Sequence, residues 1–231
     1  ALTLGLEQLR RLCDAKIPVV IIAGNHETPK TIYTSPILRA LRSLECVVPV
    51  FGEQYEVHEF GELAVHGVPH INDDRLLQQE LARLQPLPNR WNLLLLHTSL
   101  GKTYLMEEYG EQIYPPEFIE KLAGFQYIAL GHWHNFQQTG VVPQAWYAGS
   151  TERMSDTEIG AEKGFVELDT QPDGSFKMQF HAIKTRPWLK LDLVNCQNKI
   201  IAELQEELLA FRSANDTRQA IVSINFNEIK A

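Results

Sequence analysis

Cysteine is scarce in this chain and falls in no pattern: Cys13, Cys46 and Cys196 are odd in number, scattered, and form no Cys-x-x-Cys pair. Neither a thiolate zinc site nor a disulfide framework is thereby indicated, and a reducing cytoplasm is the compartment that fits. Long apolar runs are missing as well. No stretch approaches the roughly 20 residues that span a bilayer, and residues 1–16, with Arg10, Arg11 and Lys16, read as an amphipathic helix rather than a signal peptide. Positive charge is in short supply: 21 Lys and Arg against 29 Asp and Glu give a formal net charge of −8. A protein that coats nucleic acid through its overall field needs basic surface to release counterions, so any contact with nucleic acid must be local and helped by bound cations. There is no internal repeat and no low-complexity tract. What remains, 231 residues of which 44% are hydrophobic, can bury a substantial core.

The apolar residues alternate between two periods. Leu2, Leu6, Leu9 and Cys13 recur at helical spacing ahead of a strand from Ile17. Thr34-Ser35-Pro36 opens a second helix, through a Ser or Thr cap and a first-turn proline, that carries Ile37, Leu38, Leu41 and Leu44. Short strands follow at Val47 to Phe51, Gln54 to Phe60 and Glu62 to Val68. Asn72-Asp73-Asp74 caps a helix with Leu76, Leu77, Leu81 and Leu84, and a further helix opens at Pro115-Pro116. Strands and helices alternate, which makes the class α/β. From Gly164 the pattern becomes a hairpin, Phe165 to Thr170 and Ser175 to Ile183 around Gln171-Pro172-Asp173-Gly174, read as the antiparallel edge of the sheet system. Leu189 to Val194, a helix with Ile201, Leu204, Leu208 and Phe211, and Ala220 to Phe226 form a small βαβ unit, with a boundary near residue 187.

Three buried-strand runs end in residues able to bind metal: Ile17 to Asn25-His26-Glu27, Trp91 to His97-Thr98, and Tyr127 to His132-Trp133-His134. In an open α/β sheet ligands gather beyond the carboxyl ends of the strands, so these runs bring Asn25, His26, His97, His132 and His134 to one crevice. Imidazoles with an amide oxygen suit a divalent transition metal.

Gly24-Asn25-His26-Glu27, the lone His97 and Gly131-His132-Trp133-His134, in this order, resemble the last three motifs of the calcineurin-like metallophosphoesterase superfamily. That family reads Asp-x-His, Gly-Asp-x-x-Asp, Gly-Asn-His-Asp/Glu, a lone His and Gly-His-x-His. The first two motifs are absent here, and the expectation is that the portion bearing them precedes residue 1. Tyr147-Ala-Gly149-Ser150-Thr-Glu152-Arg153 and Lys163-Gly164-Phe165 narrow the resemblance to the DNA-repair exonuclease branch, the nuclease component of SbcCD-type complexes.

The resemblance implies an αββα sandwich of two mixed sheets flanked by helices over residues 1–187, and the start of a small α+β capping domain over 188–231. It implies two divalent metal ions, manganese before iron or zinc, with Asn25, His97 and His132 on one and His134 on the other. It makes His26 the general acid or transition-state stabiliser facing the scissile phosphate, and Arg153 a candidate phosphate ligand. The implied activity is metal-dependent hydrolysis of DNA phosphodiesters, exonuclease and endonuclease, in double-strand-break repair. Implied partners are DNA, a coiled-coil SbcC-type ATPase and a second copy of the chain. The alternatives are a phosphatase or phosphodiesterase of a small molecule or phosphoprotein, and a non-catalytic scaffold. With one ion left a single ligand, these residues alone are expected to bind metal weakly and turn over slowly.

Other polar residues have plainer readings. His58, His66, His70 and His181 read as ordinary hydrogen-bonded histidines, His58 and His181 because they fall in alternating strands, while His70 ends a strand and draws more suspicion of a metal role than the others. Asp73 and Asp74 sit where a helix cap belongs. The Leu38, Leu41, Leu44 stripe reads as core.

Overall fold

The computed structural model describes residues 2–28, 35–101, 112–171 and 173–228. The chain runs through α1 (Leu2–Asp14), β1 (Val19–Ile22), a 3-10 helix (Ile37–Ser43), β2 (Val47–Val50), β3 (Glu56–Phe60), β4 (Leu63–Val68), α2 (Asp74–Ala82) and β5 (Trp91–His97). A second 3-10 helix (Pro116–Leu122) leads to β6 (Tyr127–Gly131), β7 (Gln137–Gln138), β8 (Ala145–Tyr147), β9 (Gly164–Thr170), β10 (Phe176–Ala182), β11 (Trp188–Leu193), α3 (Ile201–Ala214) and β12 (Ile221–Phe226). The α/β class stands.

Six strands make one mixed sheet in the order β3-β4-β5-β6-β8-β7, parallel from β4 through β8 and antiparallel at both edges. Alternation sorts its side chains onto two faces. Leu94, Leu96, Ile128 and Leu130 point one way, into a core closed by Leu77 and Leu81 of α2 and by Leu122 and Phe125. Burying each such side chain stabilises the fold by about 1.5–3 kcal/mol.

The other face, bearing Trp91, Tyr127 and His97, is covered by two separate strand pairs. Parallel β1–β2 lies over β4, so near that a Cβ on Gly67 would sit 3.2 Å from Ile22 and 3.3 Å from Val50. Outside it, Leu6 and Leu9 of α1 pack with Leu38 and Leu41 of the first 3-10 helix. Helix, strand pair, sheet and helix thus stack as the αββα order expected.

The β9–β10 hairpin covers the far end of that face. Phe176 meets Trp91 and Tyr127 edge-on at 6.1 and 5.5 Å, and Phe180 stacks on Phe136 at 4.4 Å. Among the described residues it is a ladder of its own, not an edge strand of the large sheet, because its inward aromatics dock on the sheet's face. Parallel β11 and β12, joined through α3, make the βαβ unit read from the sequence.

Two local expectations are corrected. The segment from Ile37 is a 3-10 helix with Pro36 at its N-cap and no side-chain cap bond, while Thr34 lies outside the described residues. Cys13 and Cys46 are joined by a disulfide, with Cα atoms 5.1 Å apart. The end of α1 and the turn into β2 meet in one small core, a proximity that a separation of 33 residues does not reveal, so the cysteines no longer argue for a reducing compartment. By contrast the cap at Asp73 is as expected, its carboxylate accepting from Leu76 N at 2.9 Å.

Candidate metal centre

β1, β5 and β6 deliver their carboxyl ends to one rim. After β1, residues 25–27 turn tightly: Glu27 N and Thr28 N both donate to Gly24 O, and the Glu27 carboxylate accepts from Gly24 N at 3.1 Å. Thr28 Oγ1 donates to Gly24 O, and His70 N donates to Ala23 O, which ties the turn to the segment after β4. Asn25 is thereby held over the sheet, with His26 exposed beside it.

His97 sits between the layers because two glycines leave it room. A Cβ on Gly24 would come within 2.7 Å of its ring from the facing strand pair, and one on Gly131, its cross-strand partner, within 2.7 Å from the same sheet. Held so, its Nε2 lies 3.0 Å from Asn25 Oδ1. Burial, then the neighbouring His132, His70, His26 and His134, push its pKa down to about 3, so the imidazole is neutral across the physiological range. The His132 ring stands 5.4 Å away, on a residue with φ of 99° that only surrounding structure can impose on a non-glycine side chain.

His134 is held differently. Its Nδ1 lies 2.9 Å from Glu158 Oε1, and the other carboxylate oxygen pairs with Lys163 Nζ at 2.5 Å. Burial works against the Glu158 charge, but hydrogen bonds from Lys163 and His134 outweigh it and hold the carboxyl below its usual range. Gly149, with φ of 79°, lets the following turn come close enough for Ser150 N to donate to His134 O; a Cβ there would be 2.9 Å from that oxygen.

Asn25, His26, His97, His132, His134 and Glu158 line one cleft of about 400 Å³. The five residues expected from the sequence therefore share a rim. Among the described residues no group of three or more His, Cys, Asp or Glu converges tightly enough to cage an ion. Two further residues join the rim that the sequence reading left out of the site. His70, 6.3 Å from the His97 ring, ends a strand in the sequence and draws more suspicion there than His58 or His181. Glu158, in a short 3-10 turn, carries no sequence mark beyond the lysine that precedes Gly164-Phe165. Arg153 is engaged elsewhere: Nε donates to Glu158 O, Nη2 to Ala161 O, and Nη1 to Thr185 Oγ1 and Arg186 O.

The sequence profile of calcineurin-like phosphoesterases matches residues 3–136, more than half of the chain and the whole stretch bearing the rim motifs. The chain belongs to the calcineurin-like phosphoesterase family. The chain is also similar to curated proteins described as DNA double-strand break repair protein Mre11. The one from Sulfurisphaera tokodaii is 32% identical over 170 residues, 69% of this chain and 41% of that protein. Those from Saccharolobus solfataricus and Thermoplasma acidophilum are 30% and 29% identical, each over 94% of this chain and 58% of the relative. The chain thus spans between about two fifths and three fifths of the length of these relatives. Among the described residues no helix is long and apolar enough to cross a membrane.

Proposed function

We propose that this phosphoesterase is a manganese-dependent nuclease that hydrolyses DNA phosphodiesters in double-strand-break repair. The observation that carries the metal part is the 3.0 Å separation of Asn25 Oδ1 and His97 Nε2 beside His132. An amide oxygen and an imidazole nitrogen brought this close at a sheet rim are a donor set that a divalent cation would share. His97 is neutral, and the glycines on either side fix its ring without a gap to collapse into. His134, with Nδ1 on a carboxylate, has the histidine–carboxylate arrangement common behind metal ligands. Asn25, His97 and His132 would hold one ion and His134 would contribute to the other. Bound divalent cations supply Lewis acidity, polarising the phosphoryl group and making water acidic at neutral pH.

The chain's own residues do the rest. His26, exposed on the same rim, faces the phosphate and hands a proton from its imidazole to the leaving oxygen, while the turn closed by Glu27 and Thr28 keeps its backbone in place. Arg153, its guanidinium committed to carbonyls, positions the Glu158 turn instead of binding phosphate. DNA as substrate is supported by the Mre11 relatives and by the Gly149-Ser150 and Lys163-Gly164 features, both of which brace His134. A net charge of −8 leaves the attraction of DNA to bound cations and a few local groups. The proposal carries with it a coiled-coil SbcC-type ATPase partner, a homodimer, and a cytoplasmic location that rests on the substrate rather than on the cysteines.

The deciding experiment is calorimetric manganese titration of the chain followed by assay on end-labelled linear duplex DNA and on nitrophenyl phosphate. Weak manganese binding with slow, manganese-dependent cleavage of the duplex is expected. Turnover of the monoester alone would replace the nuclease by a phosphatase, and a protein that binds no divalent cation would be a scaffold.

A further inference from the structure

Glu158 and Lys163 are 5% and 2% exposed, yet both are ionisable. Side chains of this kind are rarely buried unless paired, because removing a charge from water costs several kcal/mol. Here they pair with each other at 2.5 Å and both reach the same histidine: Glu158 Oε1 is 2.9 Å from His134 Nδ1, and Lys163 Nζ donates to His134 O at 2.6 Å. Glu158 Oε1 also accepts from Met154 N at 3.3 Å and Ser155 Oγ at 3.4 Å, which fixes the carboxylate plane.

We infer that the buried Glu158–Lys163 pair is a positioning device that commits the His134 proton to Nδ1 and turns the Nε2 lone pair toward the cleft. A neutral imidazole has one N–H and one lone pair. A carboxylate can only accept, so Nδ1 must donate, and Nε2 is left as the electron donor. Lys163 supplies the compensating charge that lets Glu158 stay ionised while buried, and its second bond, to the His134 carbonyl, fixes the backbone that carries the ring. The consequence for metal binding rests on the phosphoesterase reading; the tautomer does not.

Two double variants separate this role from simple stapling of the fold, since each removes both buried charges and differs from the other by one acceptor. Glu158→Leu/Lys163→Met leaves Nδ1 without an acceptor, and Glu158→Gln/Lys163→Met keeps a carbonyl oxygen there. Long-range 1H–15N spectra of histidine-labelled, metal-free protein at pH 8 read the tautomer, and calorimetry reads manganese affinity. The expected result is an Nδ1–H form at His134 in the parent and in the Gln variant. The Leu variant should shift toward Nε2–H and bind manganese about 10–100-fold more weakly. An unchanged tautomer in a folded Leu variant overturns the inference. A tautomer shift in a protein whose parent binds no manganese supports the positioning pair while overturning the metal reading.

Discussion

His66 is wholly buried, and its proton can be placed from its neighbours. Asn92 Nδ2 donates to Leu87 O and Arg90 O while its Oδ1 accepts from Leu87 N, so that amide oxygen can only accept. His66 Nε2, 2.9 Å away, therefore donates, and Nδ1 accepts from the Tyr55 hydroxyl at 2.5 Å. Burial lowers the pKa of this imidazole below its ordinary 6.5, and the Asn92 bond only partly opposes that. Below pH 6.5 the unfolded chain takes up a proton that the folded one refuses, so stability must fall with falling pH, by up to about 1.4 kcal/mol per unit, until the folded pKa is reached. Urea unfolding between pH 7.5 and 5 should show this slope, and His66→Gln should make it shallower, leaving the share that the lowered pKa of His97 contributes. His26 belongs at the same scale. Under the proposed mechanism it donates a proton and binds no metal, so its replacement by Ala should lower turnover about 10²–10⁴-fold with manganese affinity nearly unchanged. Loss of affinity in calorimetry would make it a ligand instead. Where these residues lie was partly legible: Asn25, His26 and His97 stood out because each ended an apolar run, and they do meet at one cleft, whereas His66 looked like any strand histidine until its partners on β5 and the Tyr55 loop were in place.

At the scale of elements, the joint between α1 and β2 carries the firmest expectation. Closing a loop of 33 residues, the Cys13–Cys46 disulfide restricts the unfolded chain and should contribute about 3–4 kcal/mol. Urea midpoints with and without dithiothreitol should differ accordingly, and Cys13→Ala should abolish the difference. Because β1 carries Asn25 and His26 beyond its end, the same variant tests whether the rim depends on this joint. Periodicity was enough to find α1, α2 and α3 and nearly every strand, since burial on one face writes itself into spacing. It did not separate an α-helix from the 3-10 turns at Ile37–Ser43 and Pro116–Leu122, which bury only a few residues each. Nor did it reveal that the β9–β10 hairpin lies on a sheet instead of extending it, because an alternating strand looks the same in either place.

For the molecule as a whole, the passage from the sandwich to the β11–α3–β12 unit is braced by Arg153, which reaches Thr185 and Arg186 from the Glu158 turn, and by an Arg186–Glu152 ion pair. Arg153→Ala should destabilise the protein by about 1–3 kcal/mol through the carbonyls left unpaired. Limited proteolysis should then cut sooner near residues 183–187, and His134 should lose order as the Glu158 turn loosens. The sequence by itself determined the α/β class, the order of elements and the strand ends that meet at one cleft, because these follow from local periodicity and from the way parallel strands align their carboxyl edges. Only the tertiary structure decided that Cys13 meets Cys46, that Glu158 and Lys163 stand behind His134, and that Arg153 braces a turn. Each depends on which distant segments pack together, and a charged or thiol side chain carries no periodic trace of the partner it will find.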